Sequence, residues 1–226
     1  MPATAQRVGG PMVAETAEGG SSARWAVVQI YTHGASATII ATEVGRSFLL
    51  GCAHAYEGQA RGKKMGLVVP WPQEAAPPRP LRATLLAVDT DADLSLVLID
   101  QGPWPWVMPV APAGHRPARS VLALGYDRMQ LPLTAAPATV LTATTFTRER
   151  PVPGRSGGAL MDAERGWLIG VCQGYEVTGQ RRGMYVSHDT VLSFLRRKGY
   201  SSLAPGAAQA PVPGPALRVP ARPCPT

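Results

Sequence analysis

The sequence predicts an all-β protein, built as a sandwich or as a pair of barrels, with one helix at its C-terminal end. The chain has 226 residues, of which 24 are Gly and 23 are Pro, and so many turn formers favour short strands over a helical bundle. Most apolar runs are rich in Val, Ile and Thr and are bounded by Gly, Pro or Asp, as in short β-strands. A Pro-rich linker at 102–117 divides these runs into two similar halves.

The strands are expected in two groups. Before the linker they lie at residues 25–31, 37–42, 47–52, 67–69, 81–88 and 94–99, with a Pro-rich loop at 70–80; after it they lie at 120–126, 138–146, 159–161, 167–172 and 184–187. The helix is predicted over 189–198, because Asp189 can cap its start, its last turn is basic and Gly199 can end it.

Both ends of the chain are predicted to be disordered. Residues 1–23 are small, polar and Gly-rich, and residues 201–226 are rich in Pro and Ala without an apolar period. The first segment lacks the apolar stretch of a secretory signal. We therefore expect a cytoplasmic protein, unless it is exported by another route or its start is misassigned.

Composition excludes several classes of protein. The formal net charge is +7, but the basic residues are scattered and are not interleaved with aromatic ones, which indicates a solvated surface rather than a nucleic-acid site. No stretch approaches the ~20 apolar residues of a membrane span. Three cysteines without a CxxC spacing argue against a disulfide framework and a metal site, so Cys52 and Cys172, which lie in apolar runs, are expected to be reduced and buried.

A Gly-rich segment contains the first candidate catalytic residue. Ser156 lies in the sequence Pro-Gly-Arg-Ser-Gly-Gly at 153–158, directly before an apolar strand. Such a turn can expose the hydroxyl and aim the N–H groups of Gly154 and Ser156 into one space, where they would stabilise an oxyanion. An ordinary Gly-rich turn is the alternative.

Two further candidates lie next to strands of the first half. His54 follows an apolar strand between small residues, and a histidine bonded to a backbone carbonyl is the alternative. Asp93 opens the most apolar strand, where a carboxylate can orient an imidazole. The aspartates at 89, 91 and 93 do not form an EF-hand loop, because Leu94 and Asp100 stand where Gly and Glu are needed; plain turn formers are the alternative.

Together these segments resemble the trypsin-like, chymotrypsin-fold serine peptidases. The order His54, Asp93, Ser156 is that of this family, and the chain is most similar to the bacterial type related to the high-temperature-requirement proteases. The resemblance implies two packed antiparallel β-barrels, at 24–110 and 111–200, with the site between them. It also implies a catalytic triad of these three residues, an oxyanion hole at Gly154 and Ser156, a protein or peptide substrate, and neither a metal nor an organic cofactor.

The chain departs from the family pattern at three places. Arg155 precedes the serine, where animal trypsins have an aspartate that pairs with a cleaved N-terminus. Ala55 follows His54, so the disulfide common beside that histidine is absent. Only 26 residues follow Tyr200, so we expect no PDZ domain.

The resemblance places the primary substrate pocket at Arg150 and at Val171, Cys172, Gln173 and Gly174. No acidic residue lies in these segments, so a preference for Lys or Arg is not expected. We expect a pocket for small or medium apolar side chains, and an acidic side chain bound by Arg150 is the alternative.

Two other functions stay open at this point. A catalytically silent member of the fold would act as a binding module, and a basic nucleic-acid binder would need a contiguous charged stripe. The triad residues argue against the silent module, whereas Arg155 and the compact size leave it open, and the scattered charges argue against the nucleic-acid binder. Nothing in these residues predicts an oligomeric state.

Overall fold

The computed structural model describes residues 22–30, 33–59, 62, 64–69, 79–104, 106–117, 120–130, 133–142, 146–177 and 179–205. It confirms a mostly β architecture of two antiparallel sheets with a C-terminal helix. Ala23 and Leu203, just outside the predicted limits of the two barrels, are buried. The limits themselves, and the boundary at residue 110, stay predictions.

The first sheet holds six strands in the order β1-β2-β3-β6-β5-β4. Their bounds are Val27–Ile30 (β1), Ala35–Glu43 (β2), Arg46–Gly51 (β3), Lys64–Val69 (β4), Arg79–Asp89 (β5) and Leu94–Ile99 (β6). Strands β1 and β4, at opposite ends of this order, lie against each other, so the sheet curls into a nearly closed barrel. Continuous Val, Leu and Ile runs suit strands that are covered on both faces.

The second sheet holds seven strands in the order β8-β7-β11-β12-β13-β10-β9. Their bounds are Val121–Gly125 (β7), Thr134–Ala138 (β8), Val140–Thr142 (β9), Phe146–Thr147 (β10), Ala159–Asp162 (β11), Trp167–Tyr175 (β12) and Gly183–Ser187 (β13). Leu160 and Ile169 belong to a cluster of their own, whereas Ala159 and Leu168 belong to the larger cluster that includes the first sheet. This alternation reflects the period of two along a strand.

Helix α1 spans His188–Arg197 and packs Val191, Phe194 and Leu195 into the larger core. It reaches the first sheet as well, since Arg197 Nη2 donates to Asp89 Oδ2 at 2.7 Å. The predicted cap is wrong: the side chain of Ser187 accepts the amide of Thr190. Asp189 instead accepts the amide of Gly114 at 3.0 Å.

The predicted strand 138–146 is also wrong in detail. The chain forms β9 and β10 in this region, and residues 143–145 lie outside the described part. Strand β8 was not predicted, because its sequence Thr-Ala-Ala-Pro-Ala carries no apolar run. It lies at the sheet edge, where proline is tolerated.

Candidate active site

The first half of the site lies where β3 ends and β6 begins. These strands are antiparallel neighbours with Gly51 opposite Ser95, so residues after β3 and before β6 meet at one end of the sheet. His54 opens a 3-10 turn that ends at Tyr56. Asp93 has a positive φ of 51°, a left-handed conformation that aspartate tolerates better than most residues, and this turns its carboxylate back toward His54.

The carboxylate of Asp93 holds both the backbone and the ring of His54. Its Oδ1 accepts the His54 amide at 2.9 Å, and His54 Nδ1 lies 2.8 Å from Oδ2 and 3.0 Å from Oδ1. A carboxylate at Nδ1 fixes the ring proton there and leaves Nε2 able to accept one. Asp93, and then Cys52, raise the pKa of His54 from 6.5 to about 10.

The outer ring nitrogen faces a sulfur atom in this structure. His54 Nε2 lies 3.5 Å from Cys52 Sγ, and Cys52 is fully buried. Ser156 Oγ donates instead to the Gln173 carbonyl at 3.5 Å, a distance at which a hydroxyl bond is weak. Within the described residues, no hydrogen bond joins the side chains of Ser156 and His54.

The Ser156 turn is docked directly on the first sheet. Ser36 in β2 donates its amide to the Ser156 carbonyl and its hydroxyl to the Gly154 carbonyl, each at 2.8 Å. A Cβ on Gly157, whose φ is +80°, would stand 2.2 Å from the Ser36 oxygen and 3.1 Å from the Cys52 nitrogen. Only glycine permits this approach, which brings Ser156 beside the segment that leads to His54.

Two amides of the turn are available to an external oxygen. The Pro153 carbonyl accepts the Arg128 amide at 2.6 Å, and in a planar trans peptide the Gly154 N–H points the opposite way. Among the described residues, neither Gly154 N nor Ser156 N donates to a protein acceptor. The predicted oxyanion donors thus lie on one turn with both N–H groups unused.

The predicted pocket residues lie on the adjacent strand and loop. Val171 and Cys172 are buried, and a bulge in the pairing of β12 with β13 leaves Gln173 without a partner in the ladder. Arg150 is exposed, and its guanidinium carbon lies 3.5 Å from the centre of the Tyr175 ring. It therefore stacks at the rim rather than forming a buried base.

A cavity of about 520 Å³ opens beside His54. It is lined by His54, Asp93, the turn that follows His54, the end of β5, and Lys198 beyond α1, and by none of the predicted pocket residues. In the described part of the chain, no group of three or more His, Cys, Asp or Glu side chains is placed to hold a metal ion. In the same part, no helix has the length and apolarity needed to cross a membrane.

The described geometry agrees with a match to a known family. The family of trypsin-like peptidase domains matches residues 35–171. This match covers more than half of the chain, from the start of β2 to the middle of β12. The chain belongs to the trypsin-like peptidase family. No curated protein matches it.

Solved structures show the same fold for this trypsin-like peptidase. It is similar to the serine endoprotease from Yersinia pestis, with TM-score 0.62, 21% identity, and coverage of 79% of this chain and 64% of that one. It is similar to Rv3671c protease in its inactive form, with TM-score 0.61, 21% identity, and coverage of 79% and 91%. The HtrA-type protease AlgW with a tripeptide gives TM-score 0.62, 24% identity, and coverage of 80% and 62%. The peptidase thus spans less than two thirds of the Yersinia pestis protein and of AlgW.

Sequence reasoning missed the residues that support the site. Ser36 and Asp127 hold the serine turn but lie 118 and 28 residues from their partners, in segments without a motif. The contact of His54 with Cys52 had a weak signal, because the two are only two residues apart.

Proposed function

We propose that this trypsin-like peptidase is a serine endopeptidase that cleaves peptide bonds through Ser156, His54 and Asp93. The observation that carries the proposal is the Asp93–His54 pair at 2.8 Å. It leaves Nε2 as the proton acceptor beside a serine turn that has two unused amides.

In the proposed reaction, Ser156 Oγ attacks the carbonyl carbon of the scissile bond while its proton passes to His54 Nε2. The carbonyl electron pair moves onto oxygen, and the Gly154 and Ser156 N–H groups stabilise that charge. His54 then gives the proton to the leaving amine as the C–N bond breaks. Water repeats the sequence on the acyl-enzyme, and Asp93 stabilises each imidazolium.

Before attack, the serine hydroxyl must turn from the Gln173 carbonyl to His54. The 3.5 Å contact is too long to hold it firmly, and catalytic hydrogen bonds are often long before substrate binds. Cys52 is not proposed as the nucleophile, because it is fully buried and no carbonyl carbon can reach its sulfur.

A catalytically silent binding module is the second candidate. It is favoured by the missing hydrogen bond between Ser156 and His54 and by the short contact of His54 with Cys52. A fluorophosphonate probe separates the two functions, because a peptidase is labelled on Ser156 and a silent module is not.

The decisive experiment measures peptide and ester hydrolysis by wild type, Ser156→Ala and the control Ser201→Ala, whose serine is exposed in the turn after α1. We expect Ser156→Ala to lose activity by a factor on the order of 10⁶ in kcat and to lose labelling. We expect Ser201→Ala to match wild type. Hydrolysis retained by Ser156→Ala would exclude this mechanism.

We also propose a preference for small or medium apolar side chains at P1, with acidic side chains as the alternative. Val171 and Cys172 offer a buried apolar wall, and the exposed Arg150 stacked on Tyr175 can turn toward an anionic side chain. Mapping cleavage sites in a proteome-derived peptide mixture distinguishes these. A dominant Lys or Arg signal would contradict both.

A further inference from the structure

The residue immediately before the nucleophile carries a buried charge. Arg155 is 7% exposed, and its side chain bonds both carboxylate oxygens of Asp127, through Nε to Oδ1 and through Nη2 to Oδ2 at 3.0 Å. A two-bond arginine–carboxylate pair is among the strongest and most directional side-chain contacts. Because an unpaired buried charge is strongly destabilising, Arg155 depends on this partner.

Asp127, the partner of Arg155, lies on a turn that is hydrogen-bonded to the serine turn. Asp127 begins the segment Asp127–Met129, in which Arg128 and Met129 have positive φ values of 51° and 60°. Two successive residues in this region are strained, so the turn needs outside contacts. The Arg128 amide bonds the Pro153 carbonyl at 2.6 Å, and Gln29 of β1 donates to the Met129 carbonyl at 2.7 Å.

Gly125, at the end of β7, leaves room for the Arg155 side chain. A Cβ on Gly125, the last residue of β7, would lie 3.0 Å from Arg155 Cγ and 3.2 Å from its Cα. The Arg155 carbonyl in turn accepts the Gly158 amide at 2.7 Å. The side chain and the main chain of Arg155 therefore hold the turn at separate points.

We propose that Asp127 acts through Arg155 as a positioning residue for the two amides that receive the oxyanion. The ion pair and the Arg128–Pro153 bond together keep the Gly154 N–H turned away from the Asp127–Met129 turn and toward the substrate. The proposal rests on the serine peptidase mechanism proposed above. Loss of the carboxylate frees the buried guanidinium to move and carries the turn with it, so the transition state loses more stabilisation than the bound substrate.

The test compares Asp127→Asn with Asp162→Asn in the full chain. Asp162 is the control, because its carboxylate likewise bonds a basic side chain, that of His115 at 2.9 Å, which lies outside the serine turn. For Asp127→Asn we expect kcat to fall about 10²-fold, as for loss of an oxyanion donor, with KM changed less than about threefold. For Asp162→Asn we expect a lower melting temperature with wild-type kcat at a temperature where both variants are folded.

A second measurement separates positioning from stability. A peptide boronic acid forms a tetrahedral adduct with Ser156, whereas the matching peptide amide does not. Asp127→Asn should weaken the boronate by about the factor lost in kcat and leave the amide unchanged. Equal weakening of both ligands, or equal loss of kcat in both variants, would assign Asp127 a merely structural role and overturn the proposal.

The Asp127→Glu and Ser156→Ala variants test the positioning proposal further. If Asp127→Asn does not fold, Asp127→Glu keeps the charge and displaces the guanidinium by one methylene; a fall in its kcat supports the proposal, and an unchanged kcat overturns it. If Ser156→Ala abolishes hydrolysis while Asp127→Asn keeps wild-type kcat, the positioning proposal alone fails. If Ser156→Ala keeps its activity, the proposed function fails instead.

Discussion

Replacing Asp93 by asparagine should inactivate the peptidase by placing the His54 ring proton on the wrong nitrogen. Asp93 Oδ1 accepts the His54 amide at 2.9 Å, and this N–H can only donate. The asparagine carbonyl must therefore keep that position, which leaves its NH₂ group facing His54 Nδ1. An NH₂ group donates, so Nδ1 becomes the acceptor and the proton moves to Nε2. The ring then cannot accept a proton from Ser156.

The size of the loss in kcat distinguishes a wrong ring tautomer from the mere loss of the Asp93 charge. With 47% of the His54 side chain exposed, a water-like dielectric applies, and the Coulomb attraction of a unit charge 2.8 Å away, apart from the hydrogen bond, stabilises the imidazolium by about 1.5 kcal/mol. That corresponds to roughly tenfold in rate. A wrong tautomer lowers kcat by on the order of 10⁴, equivalent to ~5.4 kcal/mol. The tautomer should therefore dominate.

The assay is kcat for a peptide ester, with ¹⁵N NMR of the histidine ring, recorded above the raised pKa of about 10 where the ring is neutral, as a direct readout of the tautomer. Asp91→Asn is the matched control, since Asp91 is exposed in the same turn and should give wild-type values. A loss of only about tenfold in Asp93→Asn, with the proton still on Nδ1, would refute the tautomer argument.

Three other predictions concern pH, thiols and packing. Because the pKa of His54 is raised from 6.5 to about 10, kcat/KM should increase as the pH rises toward 10. The stability that the raised pKa contributes should be complete below pH 6.5 and lost toward pH 10, measured as the difference in urea unfolding between wild type and His54→Gln. A pH-independent difference would contradict this. Cys52 and Cys172 are 0% and 1% exposed, and burial raises the pKa of Cys172 to about 12. Iodoacetamide treatment of the native protein should therefore leave its activity unchanged. Inactivation with one adduct on either thiol, located by mass spectrometry, would show that the modified thiol lines the cleft. Gly157→Ala should lower the free energy of unfolding by more than the ~1–2 kcal/mol of a left-handed φ, because its Cβ would meet a β2 oxygen at 2.2 Å. Gly45→Ala, with a φ of +79° and open space, should show the φ effect alone, and equal losses in urea unfolding would contradict the clash.

The parts of the fold that sequence reasoning predicted are those with strong local signals. Strand β6 has the predicted bounds, Leu94–Ile99, because a continuous apolar run between two aspartates specifies both its burial and its ends. Strand β8 was missed because an edge strand with exposed alternate residues needs no apolar side chains. The helix was predicted within one residue at each end, but two polar residues compete for its cap, and tertiary contacts decided between them.

The same division applies to the candidate site. The side chains proposed for the chemistry lie in motifs of a few residues, so the sequence alone can nominate them as candidates. Their support depends on contacts between distant segments, such as Ser36 with Gly154, for which a single sequence holds no pattern. The distance from Ser156 to its acceptor likewise depends on how the two sheets dock, which no local rule specifies.

The glycines that follow the serine show how a local motif can encode a long-range contact. The pattern indicated an exposed hydroxyl, but its glycines also meet packing requirements. A Cβ at Gly157 would strike the backbone of the first sheet, and a Cβ at Gly158 would stand 2.3 Å from the Leu124 oxygen of β7. The two residues after Ser156 are thus pressed between both sheets. Because neither backbone can move without parting the sheets, the same glycines that expose the hydroxyl also fix its position.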